Sequence, residues 1–482
     1  MKLNEDMTAV QFQELNHRFE SAYTNISKAE IKYLFDIKNS QKKKAWLDLK
    51  NKDRKHNQLA RSKHLQSFIN NSQTTNIDIK TFRTNYLIKN KIIFSEKEHS
   101  LIKQYENLFA ATNFKIFNQS FPISRFNMVY RLPDQKLRKI ALQGLAKSLN
   151  KVSQEFESIY KAILQERLSN TNNNLSNLIL ETESIPPEFI SHLIDTIKTQ
   201  AKDLISNYAR TENCAENVFA APVSSSKKIS LNEAKENILS AFGQIDTMYQ
   251  SEIERLFNEK SIHTAPSSSK RPGAFCYFLG TKIRPVISVH YDETLSSYLN
   301  LAHEIGHALH FIESSKNNSF LNTQASTTVS ETISHISELI CYKQLGIDSD
   351  FIIQRWWQKI FWNSLFICFE NDLYNPQSLS KDINDNFLKH LEIFWGKDFS
   401  NKEYLKNLWV VIPQFFRKAY YSISYLVAAY SAAAALKAPS TLKTEFKRVL
   451  NGGAKINTYD LAWMSYTQMD PIELFTFLKS EL

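Results

Sequence analysis

The stretch His303-Glu304-Ile305-Gly306-His307-Ala308-Leu309-His310 is the point from which the rest of the chain can be interpreted. Residues four apart on a helix lie about 40° from each other around its axis, so the side chains of His303 and His307 can bind one metal ion. Zinc hydrolases carry their general base directly after the first histidine of this motif, which makes Glu304 the candidate base. The alternative is a chance match on a helix with ordinary surface histidines.

The composition favours a large, mainly helical protein. Only 9 of the 482 residues are glycine, far below the average of about 7%. A chain with so few turn-forming residues makes few hairpins, so long helices are expected. We predict an N-terminal helical region at residues 1–180 and a helical catalytic domain at residues 181–482.

The net charge of the chain is +10, which raises the question of a nucleic-acid partner. Much of the positive charge lies in residues 41–44 and 50–56, within a polar helical stretch where a solvated face is the simplest explanation. No aromatic platform or recognisable nucleic-acid module accompanies these residues. We therefore expect no nucleic-acid binding.

The cysteines and the apolar segments indicate the compartment. Cys214, Cys276, Cys341 and Cys368 show no paired short spacing, which argues against a thiolate metal cluster or a disulfide framework. Residues 1–20 lack the apolar core of a signal peptide, and the apolar stretch 425–436 is too short to span a bilayer. The sequence predicts a cytoplasmic protein with no membrane partner.

Local signals place several elements around the motif. Predicted helix N-caps are Asp134, Ser230 and Asp292. Glu233 follows Ser230 at the spacing of a capping box. Residues 275–279 and 286–291 favour strands, and a second helix is predicted over residues 327–345.

A third metal ligand is expected on that second helix, because catalytic zinc usually takes three protein ligands and leaves the fourth position for water. Glu331 lies 28 residues after His303, which leaves room for the chain to turn and return alongside the motif helix. His335 is the competing ligand, or it packs beneath the site. Glu338 is expected to accept a hydrogen bond from a ligand imidazole, with an exposed helical glutamate as the alternative.

This set of residues predicts peptide-bond hydrolysis. One zinc ion per chain, held by His303, His307 and Glu331, would lower the pKa of a water molecule. Glu304 would take the proton of that water and deliver it to the leaving amine. The same ligands can hold cobalt or manganese, and zinc is the default for this motif.

The chain resembles the thimet oligopeptidase-like family of zinc metallopeptidases, specifically its oligoendopeptidase F branch. The stretches that carry the resemblance are Lys270-Arg271-Pro272-Gly273-Ala274-Phe275, Pro285 to Tyr291, Leu301 to His310 and Ser330 to Glu338. The resemblance covers roughly residues 130–482 and is specific between 270 and 340. It implies that Glu331 is the ligand glutamate and that Glu338 is a further glutamate of the family's site.

The resemblance also implies the fold and the substrate class. A mainly α protein is expected, a large helical ellipsoid with a deep central channel and a small β-sheet next to the zinc-binding helix pair. Short unfolded peptides would be cleaved inside the channel, with the strand at residues 285–291 offering its backbone to the peptide by strand addition. No obligatory protein partner is evident.

A late helical segment departs from the family at the wall opposite the zinc. The resemblance implies a histidine followed by several tyrosines, but Gln414 stands at the position of the histidine and Ser422 at that of a tyrosine. Tyr421 and Tyr425 share a helix face and are the candidate oxyanion donors, with ordinary core tyrosines as the alternative. Gln414 and Tyr420 are further candidates for contact with the oxyanion or the substrate.

Three functions remain open from the sequence. The leading one is a zinc oligoendopeptidase. The second is a related zinc carboxypeptidase, which needs a basic group for the terminal carboxylate; Arg284 and Arg417 are the candidates. The third is a peptide- or metal-binding homologue with weakened catalysis, suggested by Gln414 and Ser422, although the intact Glu304 argues for activity.

Overall fold

The computed structural model describes residues 9–60, 77–89, 95–130, 132, 134–208, 228–267, 269–271, 273–375, 382–396, 402–461 and 471–482. In chain order the helices are α1 (Ala9–Leu34), α2 (Ser40–Ala60), α3 (Ile77–Lys89), α4 (Glu96–Ala111), α5 (Asn127–Tyr130), α6 (Gln135–Asn150), α7 (Ser153–Asn170), α8 (Leu175–Glu183), α9 (Pro187–Tyr208), α10 (Leu231–Ile245), α11 (Thr247–Asn258), α12 (Leu295–Asn317), α13 (Thr327–Leu345), α14 (Asp350–Leu373), α15 (Ile383–Trp395), α16 (Pro413–Arg417), α17 (Tyr421–Lys437), α18 (Pro439–Gly452) and α19 (Pro471–Glu481). The strands are β1 (Asn113–Ile116), β2 (Gln119–Pro122), β3 (Ile262–His263), β4 (Phe275–Tyr277) and β5 (Val286–Ser288).

The mainly α fold is confirmed, and one cluster of buried apolar side chains runs through it from Tyr105 to Leu478. Residue 180 lies inside α8, and the division of the chain at that residue stays a prediction. Of the four cysteines, Cys276, Cys341 and Cys368 are free thiols, while Cys214 lies outside the described residues. Within the described part of the chain, no helix combines the length and apolar character needed to cross a membrane.

The hairpin of β1 and β2 was not predicted from the sequence. The two strands pair antiparallel, with Asn113 opposite Pro122 and Ile116 opposite Gln119. Phe117, in the turn, has a φ of 52°, a left-handed conformation that usually selects glycine or asparagine. The scarcity of glycine predicts few hairpins, but in this turn phenylalanine takes the conformation in which glycine is common. The glycine content therefore gave no sign of this hairpin.

The second sheet has the strand order β3-β5-β4, in which β5 pairs parallel with β3 and antiparallel with β4. Because both edges of β5 are already paired, the expectation that residues 285–291 add a peptide strand is wrong. The chain after β4 is covered by α1, where the Tyr23 hydroxyl donates to the carbonyl of Phe278 at 3.2 Å and Thr24 donates to that of Leu279 at 3.0 Å.

The helix starts follow the predicted caps in two cases out of three. The side chains of Asp134 and Ser230 accept hydrogen bonds from the backbone N–H groups of the third residue on, as predicted. For α12 the cap is Thr294, not Asp292. Asp292 instead accepts from the N–H and hydroxyl of Thr294, so it orders the turn before the helix.

The close contact between α12 and α13 positions the site, and α13 begins and ends where the sequence predicts. Gly306 makes this contact possible: a Cβ atom there would lie 2.6 Å from Ser337 Oγ and 2.9 Å from Ser334 Cα. Only a residue without a side chain allows the two backbones to approach so closely. This approach brings Glu331 beside the two motif histidines.

Candidate metal centre

Three predicted ligands converge between α12 and α13. His303 Nε2 lies 3.3 Å from Glu331 Oε2, and His307 Nε2 lies 3.7 Å from Glu331 Oε1. The ligand atoms of the three residues all lie within 4.8 Å of one another. Two imidazole nitrogens and one carboxylate oxygen at this spacing are a donor set typical of zinc.

The other ring nitrogen of each histidine has its own partner. His303 Nδ1 lies 2.8 Å from Glu338 Oε1, and His307 Nδ1 lies 3.0 Å from Ser330 Oγ. A carboxylate can only accept, so Nδ1 of His303 carries a proton and donates it to Glu338. Nε2 is then the nitrogen that faces Glu331, where a metal ion can take the place of its proton. Such outer partners fix the tautomer and orientation of a ligand histidine.

Two cations hold Glu338, which is fully buried. Arg355 Nε and Lys359 Nζ each donate to its carboxylate at 2.7 Å. Burial alone would raise the pKa of Glu338, but these two charges hold it well below its usual range. Glu338 is therefore an anion that orients His303, and the alternative of an exposed helical glutamate is wrong.

His335 forms a second group of metal-ligand spacing with His303 and Glu338. Its ring centre lies 5.5 Å from that of His303, and neither of its ring nitrogens has a hydrogen-bond partner among the described residues. However, Arg355 and Lys359 already neutralise the carboxylate of this group. Glu331 pairs with no lysine or arginine of the described residues, so the group with Glu331 is the better candidate.

The residues fit a metal ion on two further observations. Glu331 Oε2 is buried and lacks a hydrogen-bond partner in the described part of the chain. Burial alone would lower the pKa of His303, but the neighbouring carboxylates Glu331 and Glu338 raise it to about 10. The site thus favours a positive charge between these groups, while burial lowers the pKa of His307 to about 4 and keeps its nitrogen available.

Glu304 projects from α12 beside the candidate ligands and is 7% exposed. Burial raises the pKa of its carboxyl to about 7, and the charges of Glu331 and Glu338 add to that effect while His303 opposes it. A carboxylate with a pKa near neutrality is suited to exchange a proton with water.

The opposite wall is the start of α17. The hydroxyls of Tyr421 and Tyr425 lie 3.1 Å apart. Burial and then the charge of Glu331 raise the pKa of Tyr421 to about 12, and the same two causes raise the pKa of Tyr425 well above its usual range. Both phenols therefore keep their protons at neutral pH and can donate hydrogen bonds.

The remaining predicted residues of this wall lie elsewhere. Tyr420 is buried against Tyr374, with ring centres 5.1 Å apart, and it lines a cavity of about 420 Å³ next to the site. Gln414 is exposed on α16 and does not line that cavity. Their predicted roles in oxyanion or substrate contact stay predictions.

Sequence reasoning missed the residues behind the ligands. Arg355 and Lys359 lie four apart in the aromatic stretch Arg355-Trp356-Trp357-Gln358-Lys359, and two cations in a buried helix are a signal that a buried carboxylate needs neutralising. Ser330 gives no comparable signal, because serine is common near helix starts.

Comparison with known proteins confirms the resemblance. Residues 251–458 match the model of peptidase family M3. The chain is 22% identical over 403 residues to the group B oligopeptidase PepB of Streptococcus agalactiae and 24% identical over 316 residues to an oligoendopeptidase F homolog of Borreliella burgdorferi. These matches cover 70% and 59% of this chain, and they span 65% and 52% of the two relatives.

The fold has close counterparts among solved structures. A putative peptidase from Chlamydophila abortus superposes with a TM-score of 0.72 at 17% identity, and the match covers 100% of this chain and 91% of that one. At this level of identity the likeness concerns the fold alone.

Proposed function

Because the chain carries a peptidase family M3 region of the oligoendopeptidase F type, we propose that it is a zinc-dependent endopeptidase acting on short unfolded peptides in the cytoplasm. The observation that carries the proposal is the convergence of His303, His307 and Glu331, with Glu304 buried beside them. One zinc ion per chain accounts for this donor set.

The residues of the chain divide the chemistry between them. When bound, a zinc ion would supply a Lewis acid for the attacking water and the peptide carbonyl. Glu304 would accept a proton from that water and later donate it to the leaving amine. Tyr421 and Tyr425 would donate hydrogen bonds to the oxyanion that develops on the attacked carbonyl.

The carboxypeptidase alternative loses its two predicted anchors. Arg284 forms ion pairs with Glu252 at 2.8 Å and Glu259 at 2.7 Å. Arg417 is paired with Glu106 at 2.9 Å. Because both guanidinium groups are occupied by carboxylates of the chain, neither supports capture of a peptide C-terminus.

The proposal is tested by incubating a peptide library with the purified protein and identifying the products by mass spectrometry. Half of the peptides in the library carry amidated C-termini. We expect internal cleavage of amidated peptides, loss of cleavage with a chelator, and recovery with zinc. Glu304→Gln should retain zinc and lose roughly 10²- to 10⁴-fold in kcat/KM, since it removes the proton acceptor.

The matched control is Glu254→Gln, which changes an exposed glutamate of α11 within the same family region. It should cleave like the wild type. Normal turnover by Glu304→Gln would contradict the proposed base, and trimming confined to free C-termini would support the carboxypeptidase instead. Bound zinc with no cleavage of any peptide would indicate a binding protein.

A further inference from the structure

We propose that Lys418 binds a carboxylate of the peptide substrate and thereby selects peptides that carry a negative charge a few residues from the cleaved bond. This inference rests on the proposed function, since it names the substrate class of that same site. It is carried by the charges that line the cavity beside the metal centre.

The cavity, of about 420 Å³, is of the size that small ligands occupy. Its charged lining residues are Glu98, Arg167, Glu183 and Lys418. Glu98 and Arg167 neutralise each other, with Arg167 Nε 2.6 Å from Glu98 Oε1. Glu183 accepts hydrogen bonds at 2.9 Å from both the N–H and the hydroxyl of Thr328, at the positive end of α13.

Among the described lining residues, Glu183 and Lys418 are the charged groups without an ion pair, and Lys418 is the cation of the two. Its Nζ donates to Thr327 Oγ1 at 3.0 Å, and among the described residues no carboxylate forms an ion pair with it. An ammonium group has three N–H donors, so two remain for a ligand. A half-buried cation with free donors in a ligand-sized cavity is suited to an anionic group.

The lysine lies close to the candidate metal centre. Thr327, its hydrogen-bond partner, precedes Glu331 by one helical turn, about 6 Å along the axis of α13. Lys418 Nζ also lies 5.0 Å from the ring centre of Tyr421. Because an extended chain covers about 3.3 Å per residue, a carboxylate held here would lie roughly two to four residues from the bond at the metal centre.

The backbone after Lys418 is held in a strained turn. Tyr420 has a φ of 54°, a left-handed conformation that is unfavourable for a residue with a side chain. The carboxyl of Glu370 accepts the N–H of Tyr420 at 2.9 Å and fixes this turn. Left-handed residues held by buried partners are frequent at binding sites. Here the turn that contains Lys418 and Tyr420 connects α16 to α17.

The carboxylate has two possible sources, the C-terminus of the peptide and an aspartate or glutamate side chain. The test uses Glu304→Gln protein loaded with zinc, so that binding is measured without hydrolysis. Native mass spectrometry gives the bound fraction for three pools of N-acetylated hexapeptides: neutral sequences with a free C-terminus, the same sequences amidated, and amidated sequences with one aspartate.

Lys418→Met, which keeps the apolar stem of the side chain, should weaken binding of the charged pools roughly 10- to 100-fold, the range for a hydrogen bond to a charged group. Binding of the amidated neutral pool should not change. Lys418→Arg should restore part of the preference, and Lys443→Met, at an exposed lysine of α18, is the matched control.

A preference for the free C-terminus or for the aspartate pool would support the inference and identify the source of the carboxylate. Equal binding of all three pools by the parent, or the same loss for charged and neutral pools with Lys418→Met, would overturn it. These outcomes can be told apart from a failure of the proposed function. Cleavage by the wild type without any charge preference would contradict only the role of Lys418. Charge-selective binding without any cleavage by the wild type would contradict only the proposed peptidase activity.

Discussion

The two walls of the candidate site differ in how their side chains are held. On the metal wall, formed by α12 and α13, His303 and His307 each have a partner at Nδ1, and Glu338 is itself held by two cations. On the opposite wall, formed by the turn before α17 and its first residues, Tyr421 and Tyr425 bond to each other, and Lys418 bonds to a single threonine.

This difference indicates that the two walls have different roles, metal binding on one and substrate contact on the other. The metal wall is fixed by buried charges that need one another, so a change there leaves an uncompensated charge or an empty ligand position. The opposite wall offers donors with spare capacity, which can bind a substrate without losing internal bonds. Substitutions on the metal wall should therefore abolish function, and those on the opposite wall should tune it.

The largest effect is expected for Glu331→Ala. The substitution removes one of the three proposed ligands, so zinc content should fall below one per chain and kcat/KM should fall on the order of 10⁴-fold. Inductively coupled plasma mass spectrometry measures the zinc, and a fluorogenic peptide measures the rate. Unchanged zinc content would show that His335 or another group is the third ligand.

The next effect tests the opposite wall. Tyr425→Phe removes a phenol donor whose pKa is raised by burial and by Glu331, and kcat should fall roughly 10²- to 10³-fold, with KM nearly unchanged. Tyr249→Phe is the control, because that buried hydroxyl lacks a hydrogen-bond partner among the described residues. Equal kcat values for the two variants would mean that Tyr425 is an ordinary core tyrosine and not an oxyanion donor.

The same contrast explains how far the sequence could predict the molecule. The three candidate ligands on the metal wall are predicted from spacing, because helix geometry relates His303 to His307 and a return helix is the simplest place for Glu331. The predicted bounds of α13 and the cap at Ser230 are correct for the same reason: local hydrogen bonds and apolar periodicity decide them.

The features that could not be predicted from the sequence depend on contacts between segments that are distant in the chain. That β5 is a central strand follows from its pairing with β3, two residues long, which carries no pattern of its own. The roles of Arg355 and Lys359 depend on Glu338 across the helix pair. Lys418 stands out because no carboxylate of the described residues forms an ion pair with it, and a sequence does not display such an absence.

A third prediction concerns the support of the opposite wall. Burial raises the pKa of Glu370 to about 8, while the N–H of Tyr420 and the charge of Arg167 oppose that shift. The folded protein therefore keeps this proton at pH values where the unfolded chain has lost it. The free energy of unfolding should decrease between about pH 4.5 and pH 8, by an amount on the order of 4 kcal/mol from this group.

Urea denaturation at pH 5 and pH 8 measures this effect against Glu370→Gln, which stays neutral and keeps an oxygen to accept from Tyr420. The variant should show a smaller decrease than the wild type. The matched control is Glu392→Gln, at a half-buried position of α15, which should leave the decrease unchanged. An identical pH dependence in all three proteins would mean that Glu370 is already ionised at neutral pH.

The smallest effect is expected for Gln414, the residue for which the sequence resemblance implies a histidine. It is exposed on α16, whose neighbouring residues Phe415 and Phe416 are buried and give their carbonyls to Arg167. Because this anchoring does not involve the Gln414 side chain, Gln414→Ala should change kcat/KM by less than about twofold. Steady-state kinetics with one fluorogenic peptide measures the change. A loss of more than tenfold would show that α16 moves toward the bound peptide, and the opposite wall would then be completed only on binding.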